Sequence, residues 1–555
     1  MMQQLYTEEG RSIPELPWNR YPRPQTVRPE WLCLNGIWEL KTEKSPAEQI
    51  RVPFCPESLL SGIQRTPDVG ERLRYRRFFT VPGSWKGKRV LLHCGAVSRS
   101  AEVHVNGRRL ACHDNSYLPF SADITEALRD GENELVIYAV NDLSHRHPWG
   151  KQSAKRGGMW YTPVSGIWQT VWLEPVPEHF ISALKITTAG ERVKILAEGA
   201  EEGSIFFNGK EYPLRNGAAE FSVPDAIFWS PEHPYLYSFT VMAGEDTVDS
   251  YFALRTLSTE ICDGVPRLCL NGKPYFFNGL LDQGYWSDGL YTPAVPEAYE
   301  KDILTVKALG FNTLRKHIKI EPEQFYYDCD RFGMIVLQDM VNCGDYSWLR
   351  DTALPTIHIN KADDRFLHRD PEMRANFRQA MRKTVSLLGN HPCICLWTIF
   401  NEGWGQFCAD EAYDELKETD PSRFTDSTSG WFHQKKSDVD SIHNYFEKQH
   451  LGKQKLPQLI SEFGGFSYKI DAHSFNLKKT YGYRKYSDRE QYVSALQALY
   501  RDEILPLARK GLCGAIYTQV SDVEDETNGL LTFDRRAVKV RPEELRPILK
   551  ELCPG

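Results

Sequence analysis

From about residue 30 to residue 175 the apolar and polar positions alternate in short runs: LNGIWEL, RYRRFFTV, KRVLLHCGAVSRSAEVHVNGRRL, NELVIYAV and GIWQTVWLEPV. Ala101, Val103 and Val105 share one face against Glu102 and His104, and Asn106-Gly107 supplies a tight turn, so this stretch predicts an antiparallel β-sandwich. Pro175 and Pro177 mark a junction. ISALKITTA, RVKILAEG, SIFFNG, AAEFSV and LYSFTVM follow, with turn signals at the spacing of a second, immunoglobulin-like sandwich.

After Arg255 strand-like runs alternate with helix-like segments. YFFNGLL precedes PEAYEKDILTVKALG, TLRKHI precedes PEQFYYDCDRFG, and MIVLQDM leads through an insertion to MRANFRQAMRKTVSLLG. CICLWTIF, RFTDSTS, SIHNYF, QLISEF and GAIYTQV complete eight strand candidates, the count of a (β/α)8 TIM barrel. The expected organisation is a jelly-roll sandwich over 1–176, an immunoglobulin-like sandwich over 177–257 and a barrel over 258–555.

Composition narrows the function. The 555 residues carry 67 Lys+Arg against 74 Asp+Glu, a net charge of −7 that excludes the basic surplus of a nucleic-acid binder. The N-terminus has no basic start followed by an apolar run, and no later apolar stretch is long enough to cross a bilayer, so a cytoplasmic protein without a membrane partner is expected. Thirteen Cys occur without CxxC pairs, and Cys393 and Cys395 alternate on one apolar strand, which reads as reduced core thiols rather than a disulfide framework or zinc site. No cofactor or metal is expected.

A barrel of this kind delivers its chemistry at the C-terminal ends of its strands. Those ends carry Asp282 and Gln283, Arg315 and His317, Asp339, Asn401 and Glu402, His443 and Tyr445, Glu462, then Gln519 and Asp522. Closure would bring them around one mouth, where they can bond a polyhydroxylated ligand. Glu402 ends the fourth strand and Glu462 the seventh. Cleavage of a glycosidic bond needs one carboxylic acid to protonate the leaving oxygen and a second carboxylate at the anomeric carbon. Trp404 and Tyr517 are candidate stacking faces for a sugar ring.

The ordered set LNGIWEL, VSGIWQTVWLEPV, WSPEHPYLY, LNGKPYFFNG, YYDCDRFGMIVLQDM, NHPCICLWTIFNEG and LISEFGG, spread over about residues 30–540, resembles glycoside hydrolase family 2, the family of β-galactosidases, β-glucuronidases and β-mannosidases. The resemblance implies that Glu402 is the general acid/base, Glu462 the nucleophile and Asn401 the partner of the sugar 2-hydroxyl. It further implies that Arg315 orients the nucleophile or a hydroxyl, that Tyr445 contacts the nucleophile, and that His443 and His317 donate to hydroxyls.

Departures from the family pattern bear on the substrate. Trp160, in GGMWYTPVSGIW, stands where galactosidases and glucuronidases carry an acid that reaches the sugar. DETNGLLTFDRR supplies Asn528 without the Lys of the glucuronidase Asn-x-Lys, leaving Arg535 or Lys210 as cations for a sugar carboxylate. QDMVNCGDYSW offers Cys343 and Asp345 in place of Mg²⁺ ligands. These changes imply a retaining exo-hydrolase of a terminal neutral, β-galactoside-like sugar, with an α-L-arabinoside or a β-glucuronide as alternatives. A transglycosylase sharing the intermediate, and a non-catalytic carbohydrate-binding protein on the same scaffold, are the other readings. Homo-oligomers through the sandwiches are compatible with the family.

Overall fold

The computed structural model describes residues 2–453 and 455–552. The first sandwich packs a six-stranded sheet, in the order Glu48–Val52, Gly36–Lys41, Arg72–Thr80, Glu132–Val140, Ser100–Val105 and Arg108–Asp114, against a four-stranded sheet that includes Arg89–Cys94 and Val171–Val176. The alternation read from Ala101 to Val105 is real, because those positions fill a core with Trp38, Tyr75, Leu135 and Ile137 while Glu102 and His104 face outward. Seven further strands from Ala183–Ala189 to Asp246–Phe252 form one continuous antiparallel set wrapped around Val193, Ile195, Val241, Val248 and Phe252.

A hairpin, Leu257–Cys262 and Val265–Leu270, leads into the barrel. Its strands are β1 (Phe277–Asp282), β2 (Thr313–Lys316), β3 (Ile335–Asp339), β4 (Ile394–Asn401), β5 (Phe424–Ser429), β6 (Asp440–Asn444), β7 (Gln458–Phe463) and β8 (Leu512–Tyr517). All ladders are parallel, and the sheet runs from β5 back through β1 and β8 to β6. Helices α1 (Glu297–Leu309), α2 (Glu323–Phe332), α3 (Pro371–Leu388), α4 (Ala409–Thr419), α5 (Arg489–Ala498) and α6 (Pro542–Leu549) account for the outer layer on most sides. Asp370 caps α3 by accepting from the N–H groups of Glu372 and Met373. No helix long and apolar enough to cross a membrane occurs among the described residues.

The sandwich and barrel cores are continuous. Tyr117, Tyr161 and Trp168 of the first sandwich are buried with Tyr285 and Tyr291 of the barrel, and Trp229 of the second sandwich donates to the Asp330 carbonyl at 2.7 Å. This seam holds the loop 141–165 of the first sandwich over the barrel's C-terminal mouth. The described cysteines carry no disulfide, and Cys393 and Cys395 are buried.

Candidate active site

Register decides which strand-end side chains face the lumen, because residues paired across parallel strands share a face. Leu281, Arg315 and Leu337 are paired, so Arg315 and, two residues beyond Leu337, Asp339 point inward. Asp282, Lys316 and Gln338 form the alternate row, which faces the helices. There Lys316 pairs with Asp282 at 2.6 Å and Glu321 at 2.8 Å, and its ammonium lies 4.2 Å from the Phe325 ring of α2. Asp282 is thus a structural ion-pair partner behind the barrel wall, a correction to its expected place at the mouth.

Inside the lumen Arg315 is 1% exposed and fully engaged. Its Nε donates to Asp339 Oδ1 at 3.0 Å, Nη2 to Asn401 Oδ1 at 2.7 Å, and Nη1 to the Ser461 carbonyl and Glu462 Oε1, each at 3.1 Å. One guanidinium therefore ties β2 to β3, β4 and β7 with the fork geometry that a lysine lacks. Asp339 also bonds His317 Nδ1 through Oδ2 at 2.8 Å. Burial lowers the His317 imidazole to about 4 despite Asp339.

Glu402 follows β4 in the left-handed region, φ 51°, while its N–H still donates to the Ser429 carbonyl at 2.9 Å. Its Oε1 bonds His443 Nδ1 at 2.7 Å. The other ring nitrogen of His443 lies 3.3 Å from Arg315 Nη1, which can only donate, so Nε2 accepts and the proton sits on Nδ1. His443 accordingly donates to Glu402 Oε1 and leaves Oε2 as the oxygen able to carry an acidic proton. Glu462 Oε2 accepts from the Tyr445 hydroxyl, which also bonds Thr518 Oγ1 at 3.0 Å.

A carboxylate oxygen of Glu402, one of Glu462 and a ring nitrogen of His443 all lie within 4.8 Å of one another. This is the grouping with metal-ligand spacing among the described residues, and its atoms are occupied by the hydrogen bonds just given. Burial and the charge of Glu462 push the Glu402 carboxyl above the ordinary range, against the pull of His443. Burial also raises Glu462, but the fixed positive charges of Arg315 and Lys151 outweigh it and hold Glu462 well below that range. Two nearby carboxyl groups are thus separated into a proton holder and an anion.

The first sandwich contributes directly. Trp160 is half-buried and stacks between Trp149, at 5.3 Å, and Trp404, at 5.4 Å, with Tyr346 edge-on to both Trp160 and Trp404. Trp404 is itself 2% exposed, and its Nε1 and the Asn401 Nδ2 are buried donors without a partner. Lys151, from the same loop as Trp160, lies over the Trp404 ring at 5.5 Å. Sequence reasoning missed Lys151, Trp149, Tyr346 and Ser429, and for Lys151 no local signal exists, because HPWGKQS reads as an ordinary polar loop.

Other expected positions are corrected. Tyr517 is wholly buried, its hydroxyl accepts from the Phe466 N–H at 3.0 Å, and its ring packs edge-on against Phe463 and Phe466, so it fills the wall and offers no stacking face. Asp522 pairs with Lys539 at 2.6 Å, and Gln519 donates to Glu526 and Asn528, all within the loop after β8. Arg535 lies behind the barrel wall, over the Trp286 ring at 4.2 Å and 3.3 Å from Asp302, and Lys210 is exposed on the second sandwich, so neither cation reaches the mouth. Cys343 is buried and Asp345 is exposed and paired with His145 at 2.7 Å.

The fold and the site together define a two-sandwich TIM-barrel protein with a paired-carboxylate centre at the C-terminal mouth. Sequence models of two domains match: "Glycosyl hydrolases family 2, TIM barrel domain" over residues 261–470 and "Glycosyl hydrolase 2 galactose-binding domain-like" over residues 63–163. The chain belongs to glycoside hydrolase family 2.

Among curated proteins it is 25% identical over 488 residues to a β-galactosidase of Thermoanaerobacter pseudethanolicus, covering 80% of this chain and 61% of that protein. It is also 25% identical over 452 residues to the β-glucuronidase of Felis catus, covering 69% of this chain and 65% of that protein. The chain thus spans less than two thirds of the length of these relatives. The solved β-D-glucuronidase of Dictyoglomus thermophilum shares the fold, with a TM-score of 0.76 at 19% identity, covering 96% of this chain and 98% of that one.

Proposed function

We propose that this protein is a retaining exo-glycosidase that removes a terminal sugar through a covalent glycosyl-enzyme. The observation that carries this reading is the Glu402–Glu462 pair facing each other from the ends of β4 and β7, with one oxygen of each within 4.8 Å of the other. A separation near 5–5.5 Å suits direct displacement, whereas inversion requires about 6.5–9.5 Å to admit water.

Glu462, charged and held by Arg315 and Tyr445, attacks the anomeric carbon as the bond to the leaving oxygen breaks. Glu402 delivers the proton from Oε2 to that oxygen. Water then enters, gives a proton back to Glu402 and attacks the anomeric carbon, and the ester bond to Glu462 breaks with its electron pair returning to the carboxylate. Asn401, held through Oδ1 by Arg315, keeps its Nδ2 donors for the sugar 2-hydroxyl.

On the glycone, the missing Asn-x-Lys favours a neutral β-galactoside-like sugar, and an α-L-arabinoside, which lacks the exocyclic group, suits the bulk of the Trp160 and Trp404 indoles. A β-glucuronide requires a cation at the mouth, and Lys151 is the observation favouring that second reading. A mechanism-based 2-fluoro glycoside should label Glu462 alone, and proton NMR should show a first product of retained configuration. Labelling elsewhere, or inversion, would overturn the assignment.

A further inference from the structure

Arg315 engages Asp339, Asn401 and Glu462, Lys316 engages Asp282 and Glu321, and Lys539 engages Asp522. Lys151 is different. Only 8% of it is exposed, and among the described residues its ammonium makes no hydrogen bond or ion pair. It lies 5.5 Å from the Trp404 ring and 5.7 Å from the Tyr161 ring. Its position is built: the Lys151 carbonyl accepts from the Tyr161 N–H at 3.0 Å, and the next side chain, Gln152, accepts from the Val164 N–H at 2.8 Å.

An ammonium at the mouth that has no protein acceptor and faces two aromatic rings keeps its hydrogen-bond donors free. The charge points toward a partner that arrives with the ligand. Lys151 acts electrostatically on Glu402, Glu462 and Glu526. Next to it the Trp404 indole keeps an unpartnered Nε1–H. A cation and a spare indole N–H beside one small mouth suit a carboxylate carried by the sugar.

Resting on the glycosidase reading, we propose that Lys151 is a specificity-determining residue whose ammonium receives the carboxylate of a uronic acid glycone seated at the Glu402–Glu462 pair. The first sandwich then supplies the cation that the segment after β8 lacks. The competing role, in which Lys151 only tunes the two glutamates, predicts equal effects on charged and neutral sugars.

The test measures kcat/KM of the full-length protein on p-nitrophenyl β-D-glucuronide, β-D-galacturonide and β-D-galactoside, for the wild type, Lys151→Met and Lys151→Arg. One of the uronides should exceed the galactoside by about 100-fold in the wild type. That ratio should fall at least about 30-fold in Lys151→Met and recover in part in Lys151→Arg. Should Lys151→Met not fold, titration of the wild type with D-glucuronate and D-galacturonate against D-galactose decides instead, with preferential binding of a uronate expected.

Parallel loss on charged and neutral substrates, a wild type that prefers the galactoside, or no preference for a uronate in the titration overturns the proposal while leaving the glycosidase reading intact. A wild type inactive on all three glycosides and unlabelled by 2-fluoro glycosides of the same three sugars overturns both.

Discussion

At the scale of single residues the site works by giving two carboxyl groups opposite surroundings. The nucleophile must be ionised and the acid protonated, so activity should be bell-shaped in pH. Its acid limb, set by Glu462, should lie below the usual carboxylate range, and its basic limb, set by Glu402, above it. Glu402→Gln should cost about 10²–10⁴-fold on glycosides with poor leaving groups and little in glycosylation by dinitrophenyl glycosides, which need little protonation. Equal losses on both kinds would assign the acid elsewhere.

His443 sits between the pair, and its Nδ1–H bond to Oε1 favours the ionised form of Glu402. His443→Ala should therefore move the basic limb of the kcat/KM profile, set by Glu402, to higher pH. A fall in rate with unmoved limbs would reduce His443 to a packing residue. Arg315→Met should raise the acid limb alone, since Arg315 engages Glu462 and not Glu402.

At the scale of elements, the strands determine what reaches the site, and this is also where the sequence was only partly legible. The eight strands, the two sandwiches and the ends of β4 and β7 were visible because apolar runs are followed by charged residues. The facing of individual side chains was not. A parallel strand covered on both sides is apolar throughout, so FNGLLD carries no alternation that distinguishes Leu281, facing the lumen, from Asp282, facing the helices. Tyr517 was misplaced for the same reason, at the end of the wholly buried GAIY run.

The turn after β4 is equally demanding. Gly405 has φ 65°, and a Cβ there would meet the Cys343 carbonyl oxygen at 1.7 Å. Gly405→Ala should displace the 402–404 segment, lowering stability by about 1–3 kcal/mol in urea titration and reducing turnover of every glycoside together. A variant with altered preference between sugars but unchanged stability would contradict this account.

At the scale of the whole molecule, the parts are joined by buried charge as well as by aromatic packing. Glu174 of the first sandwich, with a side chain 1% exposed, accepts from Tyr21 at 2.6 Å, pairs with Arg23, and lies 3.3 Å from Arg28 and 3.0 Å from His93. Arg28 continues to Asp246 of the second sandwich at 2.7 Å. Burial alone would raise Glu174, but Arg23, His93 and Arg28 hold it far below its ordinary value.

A carboxyl lowered in the folded state contributes stability that is complete above its unfolded pKa and is lost as pH falls through the folded one. Glu174→Gln should accordingly cost about 3–5 kcal/mol near neutral pH, with the gap to wild type closing only in strong acid. A gap independent of pH would show that the charge is not what matters. Lys151 shows the same scale from the side of legibility: a loop of one domain completes the mouth of another, and the long-range placement that brings it there leaves no local trace.

The stack of Trp149, Trp160 and Trp404 crosses from sandwich to barrel with centroid spacings of 5.3 and 5.4 Å. Indoles this close couple their strong electronic transitions, so the seam carries its own chiroptical couplet in the far ultraviolet, distinct from the signal of isolated tryptophans. Removal of the middle ring in Trp160→Phe should abolish the couplet. In wild-type protein the couplet should report sandwich–barrel docking in real time, and a ligand entering against Trp404 should perturb it before any bond is cleaved.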